Sequence, residues 1–253
     1  MITRGLTTAA LGGVAAAALP AATSWTAMRS RLLPSLAGIG SPDHVALTFD
    51  DGPLPLVVPR FLEVLARYEV HATFFLLAEQ LQRDPAAGKA LVAAGHEVAV
   101  HGYEHRCVAL RGPAATRRDL TLARERIVEL TGTEPVWYRP PYGVLSWPAL
   151  ITARQLGLTP VLWTSWGRDW RAKATPDSVL RTVTATLRGG GTVLLHDSDT
   201  QSATGSWRAT LGALPRLLDE CARRGLRVGP LAEHFASGHA ATQVRTRGVA
   251  ATG

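Results

Sequence analysis

The stretch "HVALTFDDGP", His44 to Pro53, decides how this chain is read. Six residues of strand-forming character run into two adjacent aspartates and a Gly-Pro turn. Two neighbouring carboxylates repel each other and are costly to bury. A strand that ends on such a pair therefore implies a use for both acids.

Working outward, short apolar runs recur past residue 43 and alternate with amphipathic stretches. The predicted strands are "HVALTF" (44–49), "HATFFLL" (71–77), "HEVAVH" (96–101), "VWYR" (136–139), "PVLWT" (160–164), "TVLLH" (192–196) and "LRVGP" (226–230). "VPRFLEVLARY" and "TRRDLTLARERIVELTG" read as helices, the second stopped by Gly132. "SWRATLGALPRLLDECARRG" reads as another, with Pro215 expected to kink it or mark its start. Cys221 falls in helical register with Trp207, Leu211, Leu214 and Leu218, as a buried apolar residue. Strands alternating with helices predict an α/β fold with a parallel sheet. The length of 253 residues suits a closed, TIM-like barrel, with an open doubly wound sheet as the alternative. No glycine-rich phosphate loop follows the first strand, which weighs against nucleotide binding.

Composition narrows the function classes. The chain is 46% hydrophobic and 19% charged, as expected of a folded domain. Its net charge is +7, but Arg4, Arg29 and Arg31 stand in an acid-free first 40 residues, and Arg245 and Arg247 lie in the tail. The body is near neutral, so nucleic acid is not an expected partner. The basic ends suit a cell-wall or membrane surface. Residues 1–42 form an apolar, signal-like extension, with "GLTTAALGGVAAAALPAAT" uncharged and followed by small residues. Export or membrane anchoring is expected, with a cytoplasmic protein as the alternative. Residues 43–235 form the domain, and 236–253 a flexible tail.

The polar residues cluster at one topological place. Asp50 and Asp51, His101 and His105, Arg139, Asp169 and His196 each stand at or just past the end of a predicted strand. In a parallel α/β barrel those ends converge on one face. His101 and His105 are four apart, which on one helical turn puts both imidazoles on the same side. Two imidazoles and a carboxylate suit zinc or a similar divalent ion. One aspartate of the pair is then a metal ligand and the other a general base, with the cation offsetting their repulsion.

"TFDDGP" (48–53), "HGYEH" (101–105), "RPPYG" (139–143) and "LLH" (194–196) resemble, in order, the motifs of the NodB-homology polysaccharide deacetylases, carbohydrate esterase family 4. "ATFF" (72–75) and "GHEVAVH" (95–101) add to the likeness, which spans about residues 43–235. The resemblance implies an irregular (β/α) barrel of about seven strands. It implies a hydrolase that removes N-acetyl, or O-acetyl, groups from a carbohydrate such as a chitooligosaccharide or a peptidoglycan amino sugar. Asp51, His101 and His105 would hold the metal: zinc first, with cobalt, nickel or manganese as alternatives. Asp50 would be the catalytic base, Arg139 the group that holds it, and His196 the general acid. The Tyr142 backbone N–H would stabilise the oxyanion, and Leu194 would wall the acetyl pocket. The expected partner is the acetylated carbohydrate, and the expected state a monomer.

Three positions depart from the family pattern. Gly102 stands where a serine or threonine is usual, and Val58-Pro59 where Thr-Pro often follows "DDGP". In "WGRDW", Trp166 replaces the first acid of an Asp-x-x-Asp-Trp motif, leaving Asp169 alone to orient the histidine. Trp166 and Trp170 are expected to line the sugar cleft, and Trp163 to be core. A hydrolase of another non-peptide C–N bond and an inactive carbohydrate-binding relative are the alternatives.

Overall fold

The computed structural model describes residues 26–236. A short helix α1 (Thr26–Leu32) precedes β1 (His44–Asp50). Then follow α2 (Val58–Arg67), β2 (Thr73–Leu77), α3 (Ala78–Arg83), α4 (Pro85–Ala93) and β3 (Glu97–Gly102). The chain continues through α5 (Pro113–Thr131), β4 (Trp137–Tyr138), α6 (Trp147–Gln155), β5 (Thr159–Pro160) and β6 (Ser165–Trp166). It closes with α7 (Pro176–Thr184), β7 (Thr192–His196), α8 (Trp207–Arg223) and β8 (Arg227–Gly229). Every strand pairing is parallel.

The sheet order is β5-β4-β3-β2-β1-β7-β6, and β8 pairs with β1. β1 shares itself by length: Thr48–Asp50 align with β2, and His44–Ala46 with β8. The sheet is thus the expected irregular barrel, with an eighth short strand beside seven.

Side-chain alternation sorts each strand onto two faces. Val45, Leu47, Phe49, Phe74, Leu76, Val98, Val100, Val193 and Leu195 join the main core under the helices. Ala46, Phe75 and Ala99 point the other way, into a smaller cluster with Trp137, Val161 and Leu231. The same alternation sends Thr48, Asp50, His101, Leu194 and His196 to the inner face.

The run "PVLWT" departs from its reading as one strand. β5 pairs with β4 and β6 pairs with β7, so the two sheet edges are consecutive in sequence. Residues 161–164 cross the gap between them. Val161 donates its N–H to Tyr138 O and Leu162 donates to Leu36 O. The crossing carbonyls are met by a side chain: Arg139 donates from Nε to Val161 O (3.3 Å) and from Nη2 to Leu162 O (3.1 Å). Backbone groups buried without partners are costly, and the arginine removes that cost at the seam.

α8 runs unbroken across Pro215 instead of starting or ending there. Its buried face includes Trp207, Leu214, Leu218 and Cys221, as the spacing predicts. α2 begins with Pro59 in its first turn and buries Val58, Phe61 and Leu65 at helical spacing. Part of the expected extension is built into the domain: Arg29 donates to Trp163 O, Ala37 is buried, and Gly38 O accepts from Thr192 Oγ1. Residues 1–25 and 237–253, most of the expected extension and tail, lie outside the described residues.

Candidate active site

Asp51 follows β1 at φ 74°, a left-handed conformation rare for a residue with a side chain. Its Oδ1 lies 3.3 Å from His101 Nε2 and 3.4 Å from His105 Nε2. It makes no hydrogen bond there and is buried. His101 is the last residue but one of β3, and its Nδ1–H donates to Arg139 O at 2.8 Å. That bond fixes the tautomer and leaves the Nε2 lone pair facing the carboxylate. Burial, with His101 beside it, lowers the His105 pKa to about 4, so its imidazole is neutral at pH 7. Burial would raise the Asp51 carboxyl, but the surrounding histidines hold it down at about 2. Three candidate donor atoms, one from each residue, lie within 4.8 Å of one another. An orphaned carboxylate oxygen between two imidazole lone pairs fits a divalent cation.

The two histidines do not share a helical turn. His101 is strand and His105 is loop. Gly102, at φ 130°, turns the chain between them. A Cβ there would stand 3.0 Å from Glu104 O and 3.4 Å from an Asp119 carboxylate oxygen. The hydroxyl-bearing residue usual in the family thus has no easy place, and Asp119 of α5 fills the space. Asp119 accepts the Tyr103 N–H (3.2 Å) and an Arg111 N–H (2.7 Å), bracing the loop that carries His105.

Asp50 and Asp51 part at once. Asp50 completes β1 and accepts a hydrogen bond from Arg139 Nη1 at 2.7 Å, while its other oxygen is 3.9 Å from His101 Nε2. Arg139 is wholly buried, bonds Thr48 Oγ1 as well, and lies 4.0 Å from the Phe75 ring centroid. Burial pulls its pKa down and the Asp50 charge pushes it back up.

His196 ends β7 with Nδ1 3.0 Å from Asp169 Oδ1. The second Asp169 oxygen accepts the His196 backbone N–H and the Thr210 hydroxyl, each at 2.7 Å. One aspartate therefore clamps the histidine through both oxygens, and Trp166 leaves no gap in the orientation. Nε2 faces Asp51 Oδ2 at 3.9 Å. Burial would lower the His196 pKa, but Asp169, Asp51 and Asp50 lift it to about 10.

A cleft of about 240 Å³ opens over these groups. Leu194 and an aromatic row wall it. Trp163 and Trp166 are stacked at 6.0 Å, Trp166 and Trp170 lie 5.2 Å apart, and Trp170 stands edge-on to His196 at 5.6 Å. Trp163, expected in the core, is half-buried and lines the cleft. Tyr142 has φ 62° and is 64% exposed, its ring 4.5 Å from that of His105.

Asp197 was missed in the sequence, although it follows His196 at the same strand end. Both its carboxylate oxygens are buried without partners, against Gly52. Burial, reinforced by Asp51 and Asp50, raises its pKa to about 8.

The polysaccharide deacetylase family matches residues 37–161. The chain is 32% identical over 191 residues to a peptidoglycan-N-acetylglucosamine deacetylase of Bacillus cereus, covering 75% of this chain and 86% of that one. It is 36% identical over 194 residues to a chitooligosaccharide deacetylase of Bradyrhizobium sp., covering 74% and 88%. A family 4 carbohydrate esterase from Streptomyces lividans, solved in complex with acetate, superposes with a TM-score of 0.67 at 30% identity, covering 75% of this chain and 93% of that one. The chain belongs to the polysaccharide deacetylase family.

Proposed function

We propose that this protein is a metal-dependent hydrolase that removes N-acetyl groups from amino sugars of a glycan, releasing acetate and a free amine. The observation that carries this is the separation of the two aspartates. Asp51 faces two imidazole nitrogens, while Asp50, 2.7 Å from Arg139, points a second oxygen toward the same space. A divalent cation held by Asp51, His101 and His105 would supply Lewis acidity to a water molecule and to the acetyl carbonyl. Zinc suits the donor set first.

Asp50 takes a proton from the attacking water, and Arg139 keeps that carboxylate oriented. The Tyr142 N–H, on a turn set by a left-handed residue, donates to the oxyanion. His196 enters protonated and gives its proton to the leaving nitrogen, which departs as an amine when the C–N bond breaks. Asp169 holds the ring in position and favours the charged form. Leu194 packs on the acetyl methyl, and the tryptophan row offers flat apolar faces to sugar rings.

The deciding experiment measures acetate release from chitooligosaccharides and peptidoglycan fragments after zinc or cobalt is added to stripped protein. Release from small non-sugar amides but from no glycan would overturn the reading. We extend the proposal to export, on the strength of the uncharged run before Thr26. No helix among the described residues is long and apolar enough to cross a membrane. Mass spectrometry of the protein recovered from its host tests whether that run is removed.

A further inference from the structure

The segment after β6, "WGRDWR" (166–171), has two sides. Trp166 and Trp170 line the cleft, and Asp169 clamps His196. Arg168 and Arg171 are exposed instead. The Arg168 guanidinium lies over the Trp166 ring at 5.0 Å. Arg171 and Arg208 line a second recess of about 290 Å³, together with Thr175 and Ser206. This recess adjoins the catalytic cleft: Arg171 follows Trp170, Ala203 follows Ser202, and the Ala203 N–H donates to Trp170 O at 3.1 Å.

Ion pairing among the exposed arginines is uneven. Arg67, Arg83, Arg126 and Arg223 are each paired with a carboxylate. Among the described residues, Arg168, Arg171 and Arg208 are not; nor are Arg60, Arg118, Arg154 and Arg181, but of these arginines only Arg171 and Arg208 line the recess beside the cleft. The nearby acids are engaged elsewhere: Asp177 with Arg216, and Asp199 with the Gly205 N–H. Two unneutralised guanidinium groups, Arg171 and Arg208, therefore line the recess beside the cleft, and Arg168 stacks on the cleft-wall residue Trp166.

The geometry points to an anionic subsite, centred on Arg171 and Arg208, that binds a carboxylate borne by the glycan next to the sugar being deacetylated. This inference rests on the glycan-deacetylase reading and narrows it. A guanidinium fork matches a carboxylate, and exposed cations at a cleft mouth also concentrate anionic ligands. A neutral oligosaccharide leaves these arginines in water. A glycan carrying uronate or lactyl-ether carboxylates engages them.

The test uses the full-length, zinc-loaded protein and three glycans of equal length. One alternates N-acetylglucosamine with N-acetylmuramic acid, the second is its methyl ester, and the third carries its acids on peptide substituents. Titration calorimetry at low salt is expected to show the free acid binding roughly five- to tenfold tighter than the ester, a ratio that falls as salt is raised. The Arg171→Ala/Arg208→Ala protein is expected to bring the ratio near one, and the corresponding double lysine variant to restore most of it. Arg118→Ala, on exposed α5 surface, serves as the control. Preference for the peptide-borne acid over the sugar-borne one moves the ligand outward and overturns the sugar-carboxylate assignment. A wild-type ratio near one, or a ratio intact in the double alanine variant, overturns the subsite. Acetate release is scored separately. Its absence with every glycan sinks the deacetylase reading, while the binding ratio still judges the rim.

Discussion

Two histidine pairs stand in this barrel with nearly the same ring geometry. His44 and His234 have centroids 5.2 Å apart at an interplanar angle of 43°, and His101 and His105 are 5.2 Å apart at 44°. Their surroundings separate them. In the first pair the two Nδ1 atoms meet at 3.0 Å, and His234 Nε2 donates to Gly38 O. Those rings close mostly on themselves and on backbone. In the second pair both Nε2 atoms turn toward one buried carboxylate oxygen that has no hydrogen bond. Ring proximity alone is therefore no sign of a metal site. The converging lone pairs and the orphaned acceptor are.

The strongest way to break this comparison lies at the aspartates. Asp51→Ala is expected to lose bound metal and turnover together. Asp50→Ala is expected to keep the metal and lose about 10³-fold in kcat. Elemental analysis beside acetate release decides, and equal metal loss in both variants ends the division of labour. Arg139→Met comes next. It leaves Asp50 and two seam carbonyls without their donor in a buried place, so unfolding in urea is expected to show a loss of about 3–5 kcal/mol. A loss below about 1 kcal/mol would mean that the seam does not depend on this side chain.

Asp119→Ala sharpens the role of the loop. With the Tyr103 N–H released, metal affinity is expected to fall roughly tenfold, while kcat at saturating metal changes little. Competition with a chromophoric chelator reads the affinity, and an unchanged value removes Asp119 from the metal site's support. The smallest effect is on pH and concerns stripped protein. Burial lowers the pKa of His44, and that of His234 to about 4, below the ordinary imidazole value of 6.5. The unfolded chain thus takes up protons first, and stability is expected to fall as pH drops from about 6.5 toward 4. Asp51, held at about 2, contributes its loss only below pH 4. His196, raised to about 10, contributes stability that is full below pH 6.5 and lost as pH rises toward 10. Chemical denaturation across pH, in wild type and in a His44→Asn/His234→Asn protein, reads this pair's share of the acid limb, the remainder falling to His96 and His105, whose pKa values burial also lowers to about 4. An acid limb unchanged in that variant would place it elsewhere.

The site was legible in the sequence where it obeyed the strand-end rule. Asp50, Asp51, His101, Arg139 and His196 all stand where short apolar runs stop. What failed was local geometry. H-x-x-x-H suggested a helical turn, but a glycine at φ 130° makes a strand end and a loop serve instead. "PVLWT" looked like one strand because apolar composition does not reveal a chain crossing between sheet edges. For the same reason composition alone places Trp163 in the core, whereas it lines the cleft. Asp197 could have been found by extending the strand-end rule one residue past His196. Asp119 had no such signal, since an acid inside a charged helix looks like any solvated residue.

The seam has one further consequence. Arg139 spans from the crossing carbonyls to Asp50, so the same guanidinium that satisfies the seam also holds the carboxylate proposed as the base. A molecule with the seam unformed would leave that carboxylate unaimed. On the proposed mechanism, turnover then doubles as a proofreading mark for completed folding: a chain that hydrolyses its substrate has already formed its seam.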